Sequence, residues 1–216
     1  MCIRDRYTYL LYLCDDVVST WQFAHGRRPD WEARMDLFAG YVVDAVKSSD
    51  ADEVVVVGHS SGSFLAVDVL DRALARDPAL GDHGRPVRLL TIGANLPIVG
   101  FHKRAQWFRD RIRRLATSAQ IDWIEFQSRH DIMNLWPFDP VAGHGIALGP
   151  ARRNPKVVSI SFRDMWRPGD FGRRRWRFFQ AHFQFLLAND LTEAPYDYYL
   201  NCCGPQDLAA RAAAAR

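Results

Sequence analysis

The chain has 216 residues, 48% of them hydrophobic and 25% charged, and a formal net charge of +3. That length fits one domain with a sizeable core, and the acidic residues nearly cancel a basic set that is almost all arginine, which excludes the strong positive field of a nucleic-acid binder. Four cysteines, two of them adjacent at Cys202 and Cys203, exclude a disulfide framework and point to a reducing, cytoplasmic setting.

Residues 1–6, "MCIRDR", have neither an apolar core nor a cleavage site and are no signal peptide. They read as a non-native leader, so the native protein is expected to begin further upstream. From Tyr7 to Ala24, Leu10, Leu11, Leu13, Val17, Val18 and Trp21 recur at helical spacing and form the expected apolar stripe of a first helix. A second helix is expected after Pro29-Asp30, carrying Met35, Leu37, Phe38, Tyr41, Val42, Val43 and Val46. No apolar run reaches the roughly 20 residues of a membrane span.

"DEVVVVGHSSGSFLAVDVLDRAL" follows, from Asp52 to Leu74. Its valines are β-branched without alternation, which predicts a strand buried on both faces, as in a parallel sheet. Ser61 to Asp77 reads as a helix, with Phe64, Leu65, Val67, Leu70 and Leu74 inward. "VRLLTIG" (Val87 to Gly93) is the next strand. A helix from about Arg104 to Ala116 turns Trp107, Phe108, Ile112 and Leu115 inward. "IDWIEFQ" (Ile121 to Gln127) and "KVVSISF" (Lys156 to Phe162) are the last strands, separated by a proline- and glycine-rich stretch. "RRRWRFFQAHFQFLLAND" reads as one helix. Residues 7–200 are expected to form the domain, and 201–216 a tail whose "DLAARAAAAR" can be helical with little to bury. Alternating strands and helices imply βαβ crossovers and a parallel sheet flanked by helices, an α/β fold.

Gly58-His59-Ser60-Ser61-Gly62 forms G-x-S-x-G between a predicted strand and a predicted helix, the context that gives this short pattern weight. Ser60 is expected on a tight, strained turn with its hydroxyl clear of the sheet, Gly58 and Gly62 keeping side chains out of the fold-back. The helix start brings the Ser61 N–H to the place where an oxyanion develops. The plainer reading is a strand–turn–helix junction with Ser60 as the N-cap.

These residues resemble the nucleophile elbow of the α/β-hydrolase superfamily, serine lipases and esterases in particular, over about residues 50 to 190. The resemblance implies a three-layer sandwich and a triad in the order serine, acid, histidine. Asp131, just past the strand ending at Gln127, matches the acid, with Asp139 in reserve. His182, beyond the last strand, matches the base, and His59 helps fill the elbow. About twenty residues separate His182 from Phe162, more than the family's usual spacing, so an inserted helix must return the chain to the site. The resemblance further implies a second oxyanion donor after an earlier strand. His25-Gly26 falls between two helices and does not fit that place, so the domain is expected to be incomplete on its N-terminal side.

A serine hydrolase cleaving carboxylic esters, lipid esters included, is therefore expected. Thioester cleavage and acyl transfer use the same three residues. The alternative is a non-catalytic module docking at a membrane surface through Arg104, Arg109, Arg111, Arg113, Arg114 and the Arg173–Arg175 run. No cofactor or metal is expected, because no Cys/His spacing matches a zinc pattern and no phosphate-binding glycine loop is present. The expected partner is a small-molecule or lipid ester, not a nucleic acid.

Overall fold

A computed structural model of the chain describes residues 9–215; the leader expected at 1–6 lies outside the described residues. Two helices open it, α1 (Leu10–Ala24) and α2 (Pro29–Ser48), the second with Pro29 at its first turn. Then come β1 (Val54–His59), α3 (Gly62–Arg76), β2 (Val87–Ile92), α4 (Leu96–Gly100), α5 (Gln106–Thr117), β3 (Asp122–Ser128) and β4 (Lys156–Ile160). The four strands are parallel and lie in the order β1-β2-β3-β4. Past β4 the chain makes short helices, α6 (Phe171–Arg174), α7 (Phe178–His182), α8 (Tyr198–Cys203) and α9 (Leu208–Ala214).

Strand pleating divides the core in two. Val87, Leu89 and Trp123 face one way and pack with Phe64, Leu70, Phe108, Ile112 and Leu115 of α3 and α5. Leu90, Ile92, Ile124, Phe126, Val158 and Ile160 face the other way, against Phe162, Trp166, Phe185 and Tyr196. Alternate residues of a strand point to opposite faces, so one six-residue strand feeds both layers. The helices that join β1 to β2 and β2 to β3 share a face, as crossovers of one hand between successive neighbouring strands require.

Four expectations change. The continuously buried strand is β2, whose six residues are all buried, Arg88 included; β1 is at the sheet edge with its valines half-buried. Arg88 is admitted because Glu53 Oε2 accepts from its Nε at 2.6 Å and Asp122 accepts from its Nη1. The stripe read on α1 does not face the core: Leu10, Leu11, Val17, Val18 and Trp21 are exposed, and Thr20, Phe23 and Ala24 are buried instead. The helix expected over 173–190 is broken into α6, α7 and a 3₁₀ turn at Phe183–Leu186. The tail is part of the domain. Leu208 and Ala212 are fully buried in the second core layer, Asp207 caps α9 by accepting from Ala210 N at 2.8 Å, and the Leu208 N–H donates to Glu53 Oε1 at 3.2 Å.

The basic face of α5 is largely engaged inside the fold. Arg114 donates two bonds of 2.7 Å to the Asp71 carboxylate, Arg111 pairs with Asp68, and Arg109 Nη1 donates to the carbonyls of Gly100 and His102 at 2.6 and 3.0 Å. Asp68 and Asp71 lie buried on α3, so these pairs lock α5 to α3 across the layer. Among the described residues no helix is long and apolar enough to cross a membrane.

Candidate active site

Ser60 sits between the last residue of β1 and the first turn of α3 with φ +54°; Tyr9 is the other non-glycine at positive φ among the described residues. A side-chain residue held there is strained by about 1–3 kcal/mol, so the surroundings must impose it. They do. The Ser60 N–H donates to Ile92 O at 3.2 Å, extending the β1–β2 ladder by one residue, and its carbonyl accepts from Ser63 N at 3.0 Å and Ser63 Oγ at 2.6 Å. Ser63 Oγ in turn accepts from Asn95 N at 3.0 Å, tying the elbow to the loop after β2.

The two glycines of the motif are not equivalent. A Cβ on Gly58 would stand 2.6 Å from Gly62 O and from Ser63 Cα, so strand and helix approach too closely there for any side chain. A Cβ on Gly62 would meet nothing within 4 Å, which corrects the expectation that Gly62 clears space for the fold-back. Ser60 makes no side-chain cap bond to α3, and the N-cap position belongs to Ser61. The Ser61 hydroxyl donates to Asp16 Oδ2 of α1 at 2.9 Å, drawing that helix over the elbow.

Asp131 follows β3 in the turn closed by its own N–H on Ser128 O at 3.1 Å. His182 ends α7. Though 51 residues apart, they meet: His182 Nδ1–H donates to Asp131 Oδ2 at 2.7 Å, and the residues are 2% and 1% exposed. The other carboxylate oxygen accepts from Met133 N at 3.0 Å. An ionised carboxylate only accepts, so the bond places the ring proton on Nδ1 and leaves Nε2 a bare base. Nε2 is buried and has no hydrogen-bond partner among the described residues. Gly93, at φ +52°, makes room for this pair: a Cβ there would come 3.1 Å from Asp131 Oδ2 and 3.0 Å from the Phe185 ring.

His59 packs its ring against that of His182, centroids 4.5 Å apart, and its Nε2–H donates to the His182 carbonyl at 3.1 Å. Burial first, and then the neighbouring His182 ring, push the His59 imidazole down to about 4, so it stays neutral near pH 7 and holds His182 against the end of β1. Asp139 is elsewhere engaged: Oδ1 accepts from Val141 N and Ala142 N at 2.8 and 2.9 Å, and Oδ2 accepts from Arg152 at 2.8 Å. It shapes a turn. His25 donates to Trp21 O at the end of α1, at 2.8 Å, between two helices as expected.

One residue at the site went unread in the sequence. Asn95 is 5% exposed, and its Nδ2–H donates to Ser60 Oγ at 3.2 Å. It stands in "GANLP", immediately past β2. A polar residue at the carboxyl end of the parallel strand next to the one that leads into Ser60 is a recognisable signal for a candidate site residue. Below the site, Glu125 of β3 is fully enclosed. Thr91 Oγ1 donates to it at 3.1 Å and Gln127 Nε2 also donates, yet burial pushes its carboxyl up to about 7. Compared with family models, with curated proteins and with solved structures, the chain matches none.

Proposed function

We propose that the chain is an α/β-hydrolase-like serine hydrolase that cleaves carboxylic esters through Ser60, His182 and Asp131. The observation that carries the reading is the buried 2.7 Å bond from His182 Nδ1 to Asp131, with a bare Nε2 that makes no bond to Ser60, together with a serine held at positive φ at the end of β1. In the resting conformation Ser60 Oγ accepts from Asn95, so its own proton remains free for transfer. Reach between Ser60 and His182 is completed as substrate binds, since such bonds often tighten only in the substrate complex.

As Ser60 Oγ bonds to the ester carbonyl carbon, its proton passes to His182 Nε2. Asp131 stabilises the imidazolium without taking the proton. Negative charge on the carbonyl oxygen faces the N-terminus of α3, where the Ser61 N–H is a donor, with the Asn95 amide nearby. Collapse breaks the C–O bond to the alcohol, which leaves with the proton from Nε2. Water then attacks the acyl-enzyme by the same route in reverse, releasing the acid and Ser60.

The same reading expects a further strand beside β1. In support, β1 is at the edge of the sheet, and Val55, Val56 and Val57 line a cavity of about 380 Å³ together with Met35, Phe38 and Tyr41. The experiment is hydrolysis of p-nitrophenyl butyrate by the wild type and by Ser60→Ala. Turnover that Ser60→Ala abolishes supports the reading; equal turnover by both proteins rejects it.

A further inference from the structure

We infer that the cleft between α1 and the loop leading into α7 is the acyl-chain subsite of this centre, and that the preferred substrates are esters of medium-length apolar acids. The inference rests on the hydrolase reading above and gives it a substrate class. The cleft holds about 610 Å³, within the roughly 300–1,000 Å³ of small-ligand sites, and is lined by Tyr9, Leu13, Ile132, Met133, Trp176 and Phe179 among others.

Ser60, Asp131 and His182 do not line it themselves, but residues close to them in the chain do. Leu13 lies three residues before Asp16, which accepts from Ser61 Oγ, so both are on one face of α1. Phe179 lies three residues before His182 on α7, and Met133 donates its N–H to the Asp131 carboxylate. Each of the three walls therefore lies within one helical turn or two residues of the elbow's partner Asp16, of His182 or of Asp131. Tyr9 stacks on Phe179 with ring centroids 4.0 Å apart, closing one end of the cleft with aromatic rings.

The lining is also unusually apolar for an exposed surface. Ile132 and Trp176 are 62% and 64% exposed, and Phe178 is 44% exposed, on one contiguous patch. Grouped exposed side chains of this size mark a binding surface. Among the described residues no carboxylate lines the cleft, and the cation there is Arg177, which donates to Gln180 Oε1 at 3.2 Å. An apolar chain whose carbonyl end reaches Ser60 matches such a surface, whereas a polar or cationic acyl group does not. Each methylene moved from water into the cleft raises kcat/KM about fourfold until the cleft is full.

The test compares p-nitrophenyl acetate with p-nitrophenyl octanoate. The wild type should favour octanoate by at least tenfold in kcat/KM. Leu13→Trp and Met133→Trp, from two different walls, should each lower the octanoate-to-acetate ratio by tenfold or more, with circular dichroism confirming the fold. Leu37→Ser, on the exposed side of α2, should leave the ratio unchanged. Hydrolysis of acetate without preference for octanoate, or a ratio that neither tryptophan alters, overturns the subsite. Should neither ester be hydrolysed, the hydrolase reading fails, and binding of dansyl-undecanoic acid decides the cleft separately. Saturable binding lost in both tryptophan variants upholds it as an apolar-chain site; absence of saturable binding overturns it.

Discussion

His182 and Asp131, brought together from the end of α7 and the turn after β3, share a 2.7 Å hydrogen bond at a point almost closed to solvent. The bond fixes both the ring's orientation and its tautomer. Without the carboxylate nothing would hold the proton on Nδ1, and the basic lone pair would be free to move to the wrong nitrogen.

Asp131→Asn keeps the shape and loses the charge. An amide can donate to Nδ1 and so invites the proton onto Nε2, the atom that must stay bare. Ester hydrolysis near pH 7 is expected to fall on the order of 10⁴-fold in kcat, with an unchanged circular dichroism spectrum. Asp139→Asn, by contrast, weakens a turn and its pair with Arg152, so its kcat should stay within a few-fold of the wild type.

Asn95 holds the Ser60 hydroxyl through Nδ2, and kinetics can separate that role from packing. Asn95→Ala should lower kcat by about 10²-fold, the size of effect found when one polarising donor is lost, with little change in KM. Asn95→Asp should be worse, because a carboxylate accepts the Ser60 proton instead of leaving it for His182. A rise in KM alone would assign Asn95 to substrate binding.

Gly58→Ala tests the close approach at the elbow. The added carbon would meet backbone atoms of Gly62 and Ser63 at 2.6 Å, neither of which can rotate away. We expect a loss of about 1–3 kcal/mol or more in urea unfolding, and weakened activity as Ser60 shifts. Gly62→Ala meets open space and should unfold close to the wild type.

Glu125 makes stability depend on pH. Its carboxyl stands at about 7 in the fold against 4.5 in the unfolded chain, chiefly through burial. Between those values the unfolded state has lost the proton that the native state retains, so stability falls as pH rises through this window. The loss amounts to roughly 3 kcal/mol by pH 7. Glu125→Gln removes it, and the variant's stability relative to the wild type should therefore rise between pH 4.5 and 7, measured by urea unfolding at each pH.

The parts of the fold that follow from short-range pattern were legible in the sequence. Strands β1 to β4 and helices α3 and α5 were located to within a few residues, because β-branched runs and 3.6-residue periodicity record which face is buried. Where apolar residues serve something other than the core, the same signal misleads. Leu10, Leu11, Val17 and Val18 repeat at helical spacing yet face outward, and Leu13 lines the cleft. The valines of β1 read like a central strand, although β2 and β3 hold the central places, since periodicity does not encode which strand has neighbours on both sides. Ser60, Asp131 and His182 could be named as candidates from a motif and a chain order, and the structure brings Asp131 and His182 together. Asn95 and Ser63 could not, because their role depends on the register that sets the end of β2 beside the elbow.

The central claim is that His182 activates Ser60. The most direct measurement is the rate of inactivation by a fluorophosphonate, with the modified residue identified by peptide mass spectrometry. The account predicts a single adduct on Ser60 of the wild type, none in Ser60→Ala, and a rate at least 10³-fold lower in His182→Gln. An adduct on Ser60 that forms equally fast in His182→Gln, or a folded wild type that never reacts there, would contradict it.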